Sequence, residues 1–190
     1  SSAASDVYKR QIFSLVCVCG LSAHIAVNML NEYHDCASQL DFHTSRTPFS
    51  GGSGALVSHP DALNAVRITG WFFIVATAVS GLLIMLLSTA QPLQLVTMGL
   101  LGLVIVIAYT PILNRYAILC LVAPGVGFGL LMSYGSFVVL GGIHSFEVML
   151  LALVPTLLTN NLLLLNQFPD ADADQQLSLI HISEPTRPVL

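Results

Sequence analysis

Apolar residues in this chain come in long unbroken runs joined by short polar connections, not in the alternating or one-faced patterns of soluble elements. Five runs stand out: Ile12 to Leu30, Ala65 to Leu87, Leu93 to Tyr109, Tyr116 to Leu140 and Phe146 to Phe168. Each is near the roughly 20 residues that cross a bilayer as a helix. Hydrophobicity runs all round them, and backbone polar groups in lipid must be satisfied within the element, so helices are the assignment. The predicted fold is all-α, a polytopic transmembrane helical bundle with about five spans present. Gly81, Gly99, Gly102, Gly125, Gly127 and Gly129 are expected to permit close helix contacts. Pro124 and Pro155 are expected to kink their helices.

Composition agrees with that pattern. Hydrophobic residues make up 55% of the chain and charged residues 8%, with mean hydropathy +0.80, far from the roughly 25% charged of a soluble domain. No basic stretch with interleaved aromatics points to nucleic acid. Cys17, Cys19, Cys36 and Cys120 show no paired metal-ligand spacing and read as small apolar filler.

The two ends depart from the pattern. Residues 1–11 read SSAASDVYKRQ, and the chain from Leu177 reads LSLIHISEPTR. One codon choice for Asp6 to Gln11, GAT GTG TAT AAG AGA CAG, has a reverse complement that encodes Leu-Ser-Leu-Ile-His-Ile, which is Leu177 to Ile182. Both strings resemble translated transposase-adapter sequence, so residues 1–11 and 177–190 are expected to be non-native tails on a natural segment of 12–176 that is cut at both ends. Within that segment Arg46, Arg67 and Arg115 are the only basic side chains apart from histidines.

Alternation of five spans sorts the connections onto two sides. One side receives Asn31 to Asn64, Thr110 to Arg115 and Asn166 to Asp174; the other receives only Ser88 to Pro92 and Gly141 to Ser145. The three arginines and every natural acidic residue except Glu147 lie on or beside the first side. The positive-inside tendency makes that side cytoplasmic.

Two clusters of oxygen ligands stand at this side. Asn28, Asn31 and Asp35 are spaced three and four apart and share one helical face. Asp41 misses that face and joins it only if the chain turns back. The fifth run ends in Asn166-Gln-Phe-Pro-Asp170-Ala-Asp172-Ala-Asp174, where Asn166, Asp170 and Asp174 recur every four residues. Carboxylates gathered at a membrane surface repel one another and lose hydration. Hard divalent cations offset this, and Mg²⁺ characteristically takes one or two carboxylates and completes its shell with water and substrate phosphates. Taken singly, either cluster also fits helix capping or simple solvation.

The strings Asn31-Glu-Tyr-His-Asp35 with Asp41, Arg46-Thr-Pro-Phe-Ser-Gly-Gly-Ser-Gly54, Tyr109-Thr-Pro-Ile-Leu-Asn-Arg115 and Asn166-Gln-Phe-Pro-Asp170-Ala-Asp-Ala-Asp174 resemble, in order, the signatures of the UbiA superfamily of intramembrane prenyltransferases. The long Asp35-to-Asp41 spacing and the SGGSG loop look most like the branch that prenylates 1,4-dihydroxy-2-naphthoate in menaquinone biosynthesis. The sequence departs from the tighter pattern at Gln39, where an acid would stand, and at Glu32, which replaces an Asp. The resemblance implies a bundle of about nine spans, of which this segment supplies roughly the second to the sixth. An isolated segment lacking the others is expected to be inactive.

The resemblance further implies that Asn31, Asp35, Asp41, Asn166, Asp170 and Asp174 hold Mg²⁺ and the polyprenyl diphosphate, with Asp35 and Asp170 essential to catalysis. Asn28, Asn31, Arg46, Arg115 and Asn166 are candidate substrate-binding residues, the arginines because guanidinium geometry suits diphosphate oxygens. Arg67 reads equally as a topology determinant, and Ser50 to Gly54 as an anion nest or a plain loop. Tyr109 is a candidate catalytic residue lining the cavity or, at equal weight, an interfacial anchor. None of His24, His34, His43, His59 and His144 is assigned. The expected partners are a polyprenyl diphosphate, a small aromatic acceptor and membrane lipid, and the expected location is the cytoplasmic membrane of a prokaryote. Rival readings are the same chemistry on 4-hydroxybenzoate, a chlorophyll precursor, haem or a glycerol phosphate lipid. In another class, an ion-coupled transporter would place its polar ligands near the membrane midplane.

Overall fold

A computed structural model describes residues 2–43, 54–143 and 145–167. Among them every regular element is helical. The long helices are α1 (Ser2–Ala37), α2 (Leu63–Leu87), α3 (Pro92–Ala108) and α6 (Phe146–Gln167), with the fourth crossing built from α4 (Ala117–Pro124), a π-helical stretch (Gly125–Leu131) and α5 (Met132–Val139). Four of these crossings are long and apolar enough to span a membrane, and Pro92–Ala108 is a shorter apolar helix. The chain is an all-helical membrane bundle.

The five runs appear where their hydrophobicity placed them, with one large change of bounds. The first helix was expected over Ile12 to Leu30 but continues from Ser2 to Ala37, 36 residues in all. The polar residues at both of its ends have adequate helix propensity, and hydrophobicity marks only the part of a helix that faces lipid. Side chains such as Leu86 and Leu93 stand 68% and 79% exposed, as lipid-facing positions should.

Helices α1 and α2 form an antiparallel pair whose register can be followed along its length. Tyr8 donates its hydroxyl to the Leu87 carbonyl at 2.6 Å, the Cys19 thiol approaches the Thr77 carbonyl at 3.7 Å, Leu30 abuts Gly70, and Arg67 lies 5.7 Å over the Tyr33 ring. Ala26, Leu30, Ile74 and Val106 form one buried cluster in which α3 joins this pair. A second cluster, of Ile105, Tyr109, Cys120 and Ala123, ties α3 to α4. Buried hydroxyls are satisfied locally: Thr77, Ser80 and Thr156 donate to the carbonyls of Phe73, Ala76 and Ala152 at 2.8, 2.7 and 2.7 Å, as lipid surroundings require.

Pro124 does not simply bend its helix. It lacks an N–H to continue the ladder, and the chain widens directly after it into the π stretch. Asn160 of α6 accepts the Gly125 N–H at 2.7 Å. Gly125 and Gly129 then lie against the backbone of Thr156, where a Cβ would overlap main-chain atoms. Pro155 lies within α6, which is helical throughout from Phe146 to Gln167. Two expectations are corrected. Gly81 and Gly99 make no close helix contact, since nothing lies within 4 Å of the Cβ position of either.

Contacts at both ends support the sorting of connections onto two sides. Thr110, following α3, meets Asn31 near the end of α1, while Ser88, following α2, reaches the Val139 carbonyl at 3.5 Å. Because α6 runs antiparallel to the fourth crossing, with Asn160 beside Gly125 and Thr156 beside Gly129, its C-terminal end approaches the level of Ile118. That is the surface where Asn31 and Thr110 meet.

Candidate active site

The helices line an open cavity of about 1620 Å³. Ligand sites for drug-sized molecules usually fall within roughly 300–1,000 Å³, and this one exceeds that range. Its body is largely apolar, with walls that include Val27, Leu103, Phe128 and Leu131, and its acidic groups gather at one end.

Helix α1 supplies most of that end. His24, Asn28, Asn31 and Asp35 follow one another at intervals of four, three and four and all line the cavity, together with Glu32. Asn28 donates to the His24 carbonyl at 2.8 Å. Asn31 donates from Nδ2 to Asp35 Oδ2 at 2.6 Å and accepts the Thr110 hydroxyl on Oδ1 at 2.9 Å. The turn needed to bring Asp41 back is present. Helix α1 stops at Ala37, Gln39 adopts the left-handed conformation at φ 66°, and the one-turn helix Leu40–His43 carries Asp41 to the cavity wall. Asp61 and His59 line the same mouth. Among the described residues that line the cavity there is no lysine or arginine, so the mouth is acidic.

Tyr109 is only 8% exposed and lines the cavity. Its hydroxyl lies 3.8 Å from Cys120 Sγ, and that thiol donates to Asn114 Oδ1 at 2.7 Å. Cys120 is therefore part of a polar contact and not apolar filler alone. Arg115 is exposed on the turn Leu113–Arg115 and does not line the cavity. Helix α6 contributes Thr159, Leu162 and Leu163 to the lining, and its backbone extends through Asn166 to Gln167. The side chain of Asn166 and all of Arg46, Asp170 and Asp174 lie outside the described residues, as do Ser50 to Ser53.

Sequence patterns did not single out several polar groups here. His24 stacks edge-on against Phe128 at 5.3 Å, and its place four before Asn28 was the available signal. Asn160 stands inside an apolar span, which alone marks it as a residue with a task. Thr110 and Cys120 carried no pattern, because each acts through a contact distant in sequence.

No three His, Cys, Asp or Glu side chains among the described residues are placed to hold a metal ion by themselves. The donors present still fit Mg²⁺. Asp35, Asp41 and Glu32 are hard oxygen ligands at one mouth, and Mg²⁺ needs only one or two carboxylates beside water and phosphate.

The chain is an integral membrane protein, a helical bundle with an acid-mouthed, largely apolar cavity. The family model for the UbiA prenyltransferase family matches residues 2–182, and the chain belongs to that family. No curated protein and no solved structure gives a significant match.

Proposed function

We propose that this site transfers a polyprenyl group from its diphosphate to an aromatic acceptor in a Mg²⁺-dependent reaction, with 1,4-dihydroxy-2-naphthoate of menaquinone biosynthesis as the acceptor. The observation that carries this reading is the joining of Asp35 and Asp41 at the mouth of an elongated apolar cavity that α6 also lines. Asp35 and Asp41 would hold one Mg²⁺ and Asp170 and Asp174 another, with Asn31 and Asn166 beside them and Arg46 and Arg115 pairing with diphosphate oxygens. Bound there, Mg²⁺ would stabilise the negative charge that builds on the departing diphosphate.

The chain's own groups then act by position. The allylic C–O bond breaks with its electron pair going to the diphosphate, and the acceptor ring forms the new C–C bond before expelling the group it carried at that carbon. Apolar walls keep water from capturing the cationic carbon. Tyr109, which is buried and lines the cavity, would steady that carbon or the acceptor. The reading includes non-native tails at 1–11 and 177–190 and an active site on the cytoplasmic side of a prokaryotic membrane.

The test uses this chain in lipid nanodiscs and, in parallel, a longer natural protein that carries the segment. Each is supplied with labelled polyprenyl diphosphate and a panel of aromatic acceptors. Product is expected to require Mg²⁺, to form on the naphthoate, and to vanish in Asp35→Ala and in Asp170→Ala. Near-normal turnover in both variants would remove the assignment.

A further inference from the structure

We infer that Thr110 is a positioning residue for Asp35, acting through Asn31 as the link between them. This rests on the proposed reading of the acidic mouth. The three side chains form one chain of hydrogen bonds: Thr110 Oγ1 to Asn31 Oδ1 at 2.9 Å, then Asn31 Nδ2 to Asp35 Oδ2 at 2.6 Å.

Chemistry sets the direction of that chain. An ionised carboxylate only accepts hydrogen bonds, so the face of the Asn31 amide turned to Asp35 must be its NH₂. The amide oxygen therefore points the other way, and the side chain bonded to it there must be a donor. Thr110 supplies one. Turning the amide over would set two acceptor oxygens against each other beside Asp35 and leave the hydroxyl facing NH₂.

Thr110 is well held for this task. It follows Tyr109, which is buried in the second core cluster, and precedes Pro111, which restricts its backbone. The turn is closed by Ile112 N–H to Ala108 O at 3.0 Å and Asn114 N–H to Tyr109 O at 2.8 Å. Thr110 does not line the cavity, whereas Asn31 and Asp35 do. A group behind the lining that fixes the rotamer of an acidic ligand has the place of an outer-shell partner, and loss of such a partner typically weakens metal binding about 10–100-fold.

The experiment measures Mn²⁺ binding by electron paramagnetic resonance on this chain in nanodiscs, without diphosphate, for wild type, Thr110→Val, Thr110→Ser and Asp35→Ala. Thermal unfolding of each variant is followed alongside. Thr110→Val keeps the shape and removes the donor, so Mn²⁺ affinity is expected to fall about tenfold with little change in melting. Thr110→Ser is expected to stay within about twofold of wild type. If Asn31 holds Asp35 in place without help from the hydroxyl, Thr110→Val would bind Mn²⁺ as well as wild type or better. That result overturns the inference, as does Thr110→Ser falling as far as Thr110→Val. If Asp35→Ala binds Mn²⁺ like wild type, or wild type binds none, the underlying reading of the mouth fails instead.

Discussion

Adding one methyl group at Gly129 should separate helix α6 from the fourth crossing, whereas the same change at Gly81 or Gly99 should do the reverse of harm. A Cβ at Gly129 would overlap the Cα and N of Thr156. Those are main-chain atoms of α6, and the Thr156 side chain is itself bonded to the Ala152 carbonyl, so no rotamer change relieves the clash. Overpacking of this kind costs about 1–3 kcal/mol, and the rigidity of the obstacle puts Gly129→Ala near 3 kcal/mol. At a few degrees per kcal/mol for a chain of this size, melting in nanodiscs should drop by about 6–12 °C. Gly81 and Gly99 meet nothing within 4 Å, so alanine there only removes backbone freedom from the unfolded chain and should stabilise by about 0.5–1 kcal/mol. Thermal unfolding of the three variants, read by tryptophan fluorescence, decides the matter. Equal stability of Gly129→Ala and wild type would refute the packing of α6 on the π stretch.

Asn160→Leu should cost about 1–3 kcal/mol, because it leaves the Gly125 N–H without its acceptor in an apolar setting; faster hydrogen exchange at the Gly125 amide checks the cause. Gln39→Gly should raise stability by about 1 kcal/mol and Gln39→Val should lower it, since residue 39 sits at φ 66° where a β-branched side chain is strained. Both are read by thermal unfolding, and a stabilised Gln39→Val would contradict the turn that returns Asp41.

The spans were legible because lipid imposes one answer on long apolar runs, and the sidedness followed from alternation alone. The common face of Asn28, Asn31 and Asp35 was legible for the same reason that any helical face is, through spacing of three and four. The return of Asp41 was not, because it depends on a left-handed residue that happens to be Gln39, and nothing about a glutamine announces that conformation. Glycine was ambiguous in a different way. Gly125 and Gly129 seat a neighbouring helix, while Gly81 and Gly99 open onto the cavity. Composition cannot tell the two uses apart. The links from Thr110 to Asn31 and from Asn160 to Gly125 join residues 79 and 35 positions apart, so only the assembled bundle reveals them.

The account stands on α1 and α6 ending at one membrane surface above a shared cavity. Pulsed electron resonance between nitroxides at Ser38 and Gln167, in a background with the four cysteines replaced, measures this directly. A distance of about 20 Å or less is predicted, well below the roughly 30 Å of a hydrocarbon core. A distribution centred beyond about 35 Å would put the two ends at opposite leaflets and contradict it.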